Sequence, residues 1–392
     1  MGTHQKTMKK YIDISGFDLR DTNRGTVALG YGSIPFLESK GHLQDGQELI
    51  HFHRYRKFWK RTNTKVQQEE LQVNGKTYKR TIVPIHDIEY RLVQKLGIVL
   101  PFTKFGKYVK QVELEAAING GDGFSDIYGT RIFMSRMNQT WILRRAGVPL
   151  MFLPQTIGPF KDNKNYEVAV GLLRSAKEIY VRDDKFTQKF KELGLKYTQT
   201  PDLSSFMVPE PWDIEIKPNA IGLNVSGLAY SNTFNGLEGQ FNAYPKLIGR
   251  IIDHFRSKGC TVYLIPHSYG YNKPIADDDM LACREAYRRL SDKSNVVLID
   301  RDLISPQIKY LISQMTFFIG ARMHANFAAI YTKVPVFGMA YSYKFEGAFN
   351  SNGLDGKAQT EMMNNLRLDD IDNYVAKIDD YYCKSVEKGI TI

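Results

Sequence analysis

Residues 315–331 read MTFFIGARMHANFAAIY, and the change of period inside this stretch decides the fold. Its first six residues are apolar or small without polar alternation, as in a strand buried on both faces. Its last six carry apolar groups at helical spacing. A strand that runs straight into a helix belongs to a parallel sheet with helices on its faces, where ligands sit outside the carboxyl ends of the strands. The joint is Ala321-Arg322-Met323-His324-Ala325. Backbone N–H groups at a helix start favour an anion, and a guanidinium beside them can grip a carboxylate or phosphate with two parallel hydrogen bonds. His324 adds a group that moves protons near neutral pH.

Working outward, β-rich runs recur at residues 10–15, 113–119, 149–154, 178–181, 220–225, 261–266, 296–299, 317–319 and 334–339, with helical patterns between them. Such alternation predicts α/β architecture with parallel sheets. The patterns lapse between 204 and 219, where Pro209, Pro211 and Pro218 cluster with charged residues, and AIGLNVSG at 220–227 begins a second α/β pattern. The expected organisation is two Rossmann-like domains facing a central cleft. An N-terminal domain over 8–208 carries an elaboration at about 45–110, a C-terminal domain spans 218–368, and a helix over 369–392 packs back across both. The elaboration holds HFHRYRKFWKR at 51–61 and QVNGKTY at 72–78, whose Asn74-Gly75 signals a hairpin. The basic and aromatic mixture fits an anionic lipid surface or an acidic acceptor; it equally fits a solvated basic face with its aromatics packed inward.

The chain has 392 residues, enough for two cores, and 53 Lys+Arg against 42 Asp+Glu give a net charge of +11. That balance favours acidic partners. Cys260, Cys283 and Cys383 are widely spaced and lack any C-x-x-C pair, which reads as reduced thiols of a cytoplasmic protein without a structural metal site. No apolar run reaches the roughly 20 residues of a membrane span, and the start lacks a signal-peptide pattern. The expected location is cytoplasmic, with any membrane contact peripheral and at the inner face.

Several strand ends carry candidate groups. NGGDGFSD at 119–126 places Gly120 and Gly121 where backbone can approach a ligand, with Asp126 close behind. PQTIGPF at 154–160 leaves Gln155 to present its amide. Arg182 ends a strand and pairs with neighbouring aspartates or reaches an anion. His267 ends another and contacts substrate or satisfies a local carbonyl. Asp277-Asp278-Asp279 reads as helix capping rather than a metal set, since consecutive side chains diverge around a helix axis. Lys344 leaves the strand after the junction. No phosphate-binding Gly-Lys-Ser/Thr loop and no complete dinucleotide fingerprint is present.

The ordered set NRGTVAL at 23–29, the Gly120 loop, PQTIGPF, Arg182, Pro201-Asp202, Pro266-His267, GARMHA at 320–325 and VPVFGMAYSYKFEG at 334–347 resembles the polysaccharide pyruvyl transferase family. The similarity spans nearly the whole chain except residues 51–110. Thr26 stands where the family often carries aspartate, and Asp122 where a third glycine is common. The resemblance implies a glycosyltransferase-B-like architecture. It further implies transfer of a pyruvyl unit from phosphoenolpyruvate to hydroxyls of a sugar in a cell-surface polysaccharide or a lipid-linked oligosaccharide precursor, without a cofactor. On this reading His324 is the general acid, and Arg322 is catalytic and donor-binding with Arg182, Met323 and Lys344. Asn23, Gly120, Gly121, Asp126, Gln155 and His267 face the acceptor. A nucleotide-sugar glycosyltransferase of the same architecture is the second reading, and an anion-binding scaffold the third. Nucleic acid is not an expected partner.

Overall fold

The computed structural model describes residues 10–56, 64–234 and 236–386. The chain divides into two units, one of Met1–Asp18 with Leu29–Phe206 and the other of Leu19–Ala28 with Met207–Ile392. The expected start at residue 8 lies outside the described residues.

The first unit contains β1 (Tyr11–Ser15), β2 (Glu48–Tyr55), β3 (Gln67–Val73), β4 (Lys76–His86), β5 (Val112–Ala117), β6 (Leu150–Gln155), β7 (Ala176–Val181) and β8 (Thr198–Gln199). They form one eight-stranded sheet in the order β3-β4-β2-β1-β5-β6-β7-β8. Only the β3–β4 pair is antiparallel. Every residue of β1 and of β6 is buried, as expected for strands covered by helices on both faces.

The stretch expected as an appended elaboration is part of this sheet. β2 lies between β4 and β1, and the Asn74-Gly75 turn joins β3 to β4. Both turn residues have positive φ, 53° and 74°, the backbone that a two-residue hairpin matching strand twist requires. The first half of the basic–aromatic run, His51–Tyr55, is therefore strand interior, with Phe52 buried and Arg54 bonded to Asp87 at 2.6 Å. Its remainder, 57–61, lies outside the described residues.

The second unit contains β9 (Ala220–Asn224), β10 (Thr261–Leu264), β11 (Val296–Leu298), β12 (Phe317–Gly320), β13 (Val336–Ala340) and β14 (Thr360–Met362). The order is β11-β10-β9-β12-β13-β14, parallel throughout. On one face Ile221, Leu223, Phe317 and Ile319 join a core with the helix Tyr244–Ser257, while Ala220, Tyr263 and Phe318 join another on the opposite face. The chain runs outward from β9 to β11, then returns to lay β12 on the other side of β9. That reversal is a topological switch point at the carboxyl ends of β9 and β12, the usual ligand position in such sheets.

Two segments depart from the expected boundaries. Leu19–Ala28 groups with the second unit: Thr22 O accepts from Tyr269 N at 3.0 Å, Arg24 N donates to His267 O at 3.1 Å, and Ser305 Oγ donates to Arg24 O at 2.7 Å. The closing helix, Ile371–Val386, buries Ile371, Tyr374, Val375 and Ile378 in the second unit's own core, where the Tyr374 and Phe337 rings lie 6.5 Å apart. Among the described residues, no helix is long and apolar enough to cross a membrane.

Candidate functional site

The strand–helix joint after β12 is tight. A Cβ on Gly320 would fall 2.0 Å from Asn326 Oδ1, and the Asn326 amide donates back to Gly320 O at 3.1 Å. Arg322 is the extended residue that precedes the helix Met323–Tyr331, and its N–H donates to Asn224 Oδ1 at the end of β9, 2.9 Å away. The two strands at the reversal are thus tied at their carboxyl ends.

The Arg322 guanidinium turns to Asp279, whose side chain is fully buried. Asp279 Oδ1 accepts from Arg322 Nη2 at 2.7 Å and Nε at 3.1 Å, and Asp277 Oδ2 lies 3.2 Å from Nη1. Burial opposes the guanidinium charge, but Asp279 and Asp277 outweigh it and hold Arg322 above the ordinary arginine range. The expectation of a guanidinium open to a ligand is corrected to one already neutralised from inside. Asp279 also accepts from Gly227 N at 2.8 Å, Ser268 N at 3.0 Å, His267 N at 3.1 Å and the Asn224 amide at 3.3 Å. One carboxylate therefore gathers the loops after β9, β10 and β12. The aspartate run divides its labour: Asp278 caps the helix Asp279–Arg289 through Leu281 N at 3.0 Å, as expected, while Asp279 turns into the core.

Around this hub stand His267, His324 and Arg24. His267 is buried, and desolvation first, then the charges of His324, Arg322 and Arg24, push its imidazole well below the usual histidine value. It is neutral at pH 7. Arg24 is clamped by Asp302 at 2.8 Å and Leu303 O at 2.9 Å, with its guanidinium 4.4 Å from the Tyr269 ring centre. His324 lies in the first turn of its helix, against Gly25, where a Cβ would come 2.6 Å from His324 Nδ1. Asn23 Oδ1 accepts from Gly25 N at 2.9 Å, so Asn23 belongs to this unit and shapes the same turn. Lys344 opens the helix Lys344–Asn350 just after β13, the neighbour of β12.

The other candidates lie in the first unit, where internal partners occupy them. Arg182 Nη1 bonds the buried Asp202 at 2.7 Å and Nε bonds Thr156 Oγ1 at 3.0 Å, so its ion-pair partner is Asp202, while the adjacent Asp183 acts on it through charge alone. Gly121, with φ +81°, clears space for that guanidinium: a Cβ there would sit 2.8 Å from Arg182 Nη1. Gly120 has φ +68° and open space around it. Gln155 does not present its amide. It is fully buried, accepting from Asn119 N and Nδ2 at 3.2 and 3.0 Å and donating to Ala117 O and Leu153 O at 2.8 and 3.1 Å. Asp126 is likewise buried, accepting from Lys161 N at 2.8 Å, Asp162 N at 2.9 Å and the Asn165 amide at 3.1 Å, which anchors the helix Asn163–Ser175.

The first unit also holds a pair that sequence reading passed over. Asp13 on β1 and Glu115 on β5 are register partners, both fully buried. Desolvation, then for Asp13 the charge of Glu115, raises both carboxyls above their ordinary values. Ser15 Oγ donates to Glu115 at 2.8 Å and the Gln139 amide to Asp13 at 2.7 Å.

Asp279, Asn224 and Arg24 are the site residues that sequence reading missed. A signal existed for Asp279: an acid directly following a helix cap, in a segment leaving a β-run, with Arg322 on a neighbouring run.

Among solved structures, a putative UDP-N-acetylglucosamine 2-epimerase from Listeria monocytogenes is similar with a TM-score of 0.52 and 9% identity, covering 97% of this chain and 91% of that one. The UDP-GlcNAc 2-epimerase from Methanocaldococcus jannaschii gives 0.51 and 7%, covering 94% and 92%. At such identities the likeness shows the fold alone, a glycosyltransferase-B-like pair of Rossmann units. Among curated proteins there is no match. The family model for polysaccharide pyruvyl transferase matches residues 36–343. That range takes in residues 51–110, expected to stand apart, and stops one residue short of Lys344.

Proposed function

The chain belongs to the polysaccharide pyruvyl transferase family, and from that premise we propose that it transfers a pyruvyl group from phosphoenolpyruvate to two hydroxyls of one sugar. The sugar belongs to a cell-surface polysaccharide or its lipid-linked precursor. A proton is added to the donor's methylene carbon, giving a methyl group and cationic character at the neighbouring carbon. One sugar hydroxyl attacks there and loses its proton. Phosphate departs with its bridging oxygen, and a second hydroxyl closes the ketal. Proton transfer and addition complete the reaction, so the chemistry calls for neither nucleotide nor redox group.

The observation that carries this assignment is the seat of His324, an imidazole in the first turn of the helix after β12 and next to a buried guanidinium. In the proposal His324 protonates the methylene carbon, and the helix start, through Met323, faces the donor's anionic groups. Arg322 keeps Asp279 and exchanges the half-exposed Asp277, 3.2 Å away, for the donor's carboxylate or phosphate. Lys344 assists the phosphate. Neutral His267 leaves His324 to carry the proton.

The test is phosphate release by purified protein with phosphoenolpyruvate and diol-bearing glycans. His324→Gln is expected to lower kcat roughly 10²–10⁴-fold with less change in the donor KM. Nucleotide-sugar turnover without phosphoenolpyruvate-dependent release refutes the reading.

A further inference from the structure

The helix Asp87–Leu96 buries Glu89, Tyr90 and Val93, and helical spacing then places Ile88, Arg91 and Lys95 together on the outward face. Ile88 is 70% exposed and Leu96, on the flank, 65%. After the left-handed Gly97 the chain turns, and Ile98 and Phe102 follow at 47% and 72% exposure. Thr103 Oγ1 hydrogen-bonds Glu89, which returns Phe102 to the end of the helix that carries Ile88. The next helix, Lys104–Val109, buries Phe105, Gly106 and Val109 and leaves Lys107 exposed, with Lys110 exposed just beyond. Large apolar groups thrust outward at this density mark an interaction surface.

The charges around them have one sign. Asp87 is held by Arg54 at 2.6 Å and by Arg91 at 3.0 Å, and Glu89 is buried against Thr103. Outward of these stand Lys95, Lys107 and Lys110, all exposed. Lysine is depleted at the centres of protein–protein interfaces, whereas this surface interleaves lysines with its apolar groups. Lysine stems that lie along apolar surface while their ammonium groups reach phosphates are the pattern of an interfacial membrane contact. We propose that the surface formed by Ile88, Leu96, Ile98 and Phe102, with Lys95, Lys107 and Lys110, docks on an anionic lipid bilayer. The apolar tips enter between headgroups and the lysines meet lipid phosphates. This contact does not depend on the proposed reaction.

Flotation with phosphatidylcholine vesicles, with and without phosphatidylglycerol, tests it. The chain is expected to float with anionic vesicles only and to be released by salt. Each lysine near an anionic surface is worth about fivefold in partitioning, so Lys95→Gln with Lys107→Gln is expected to weaken binding roughly 25-fold. Ile88→Ser with Phe102→Ser is expected to abolish flotation without lowering the melting temperature or phosphate release. Absent flotation of the unaltered chain on anionic vesicles at low salt overturns the proposal, as does equal flotation by both variants. Self-association that the serine variant abolishes, in a chain that never floats, overturns it in favour of a protein partner.

Discussion

Replacing Asp279 by Asn keeps the shape of the side chain and removes its charge. The carboxylate accepts from the N–H groups of Gly227, His267 and Ser268, from the Asn224 amide and from Arg322. An asparagine has one acceptor oxygen, so whichever atom becomes NH₂ confronts at least two donors. Breaking a buried ion pair from one side costs about 3–5 kcal/mol. With an m-value near 2 kcal/mol/M that is a fall of about 2 M in urea midpoint. Arg322→Met is expected to cost less, about 1–3 kcal/mol, because the stranded carboxylate keeps its backbone donors. Asp277→Asn, partly exposed and on the outer side of the pair, is expected to cost under about 1 kcal/mol. Urea unfolding followed by circular dichroism gives all three. The reasoning fails if Asp279→Asn lies within about 1 kcal/mol of the unaltered protein, or if Arg322→Met proves the costlier change.

Two other outcomes can be checked. Gly25→Ala puts a Cβ 2.6 Å from His324 Nδ1, and displacing the imidazole by about 1 Å is expected to lower kcat up to roughly 10²-fold; an unchanged kcat would mean that His324 does not act. The buried Asp13–Glu115 pair makes stability fall as pH rises: the unfolded chain releases its protons near pH 4 while the folded one still holds at least one, a slope of about 1.4 kcal/mol per pH unit for one proton. The contribution is complete below the unfolded values and is lost upward toward the raised folded values. Glu115→Gln should flatten this slope in unfolding midpoints measured from pH 4 to 8, and a parallel profile counts against a raised Glu115 carboxyl.

Strands such as β6 and β12 were legible because burial on both faces leaves continuous apolar runs, a local signal. The Asn74-Gly75 hairpin was legible from its turn residues, yet not its place: β2, which carries His51, His53 and Arg54, lies between β4 and β1 rather than outside the sheet, and no local signal shows that pairing. Arg322 and His324 were readable as a chemical pair, but the partner that neutralises Arg322 lies 43 residues away. Gln155 looked available because nothing nearby in sequence shows that Asn119, 36 residues earlier, takes its oxygen. Polar side chains announce their type, whereas folding decides which of them are consumed internally.

The docking of residues 19–28 into the second unit bears on how the chain comes off the ribosome. Arg24 and Leu303 are bonded across 279 positions, so the early segment emerges long before the ledge that receives it exists. Closing so wide a loop adds little entropy over a shorter one, but contacts of such separation form late. Until synthesis passes His267, the first turn of the helix Arg24–Ser39 has no carbonyl to accept from Arg24 N. An isolated fragment starting at Met207 would inherit the complementary vacancy, with the ledge built and its guest missing.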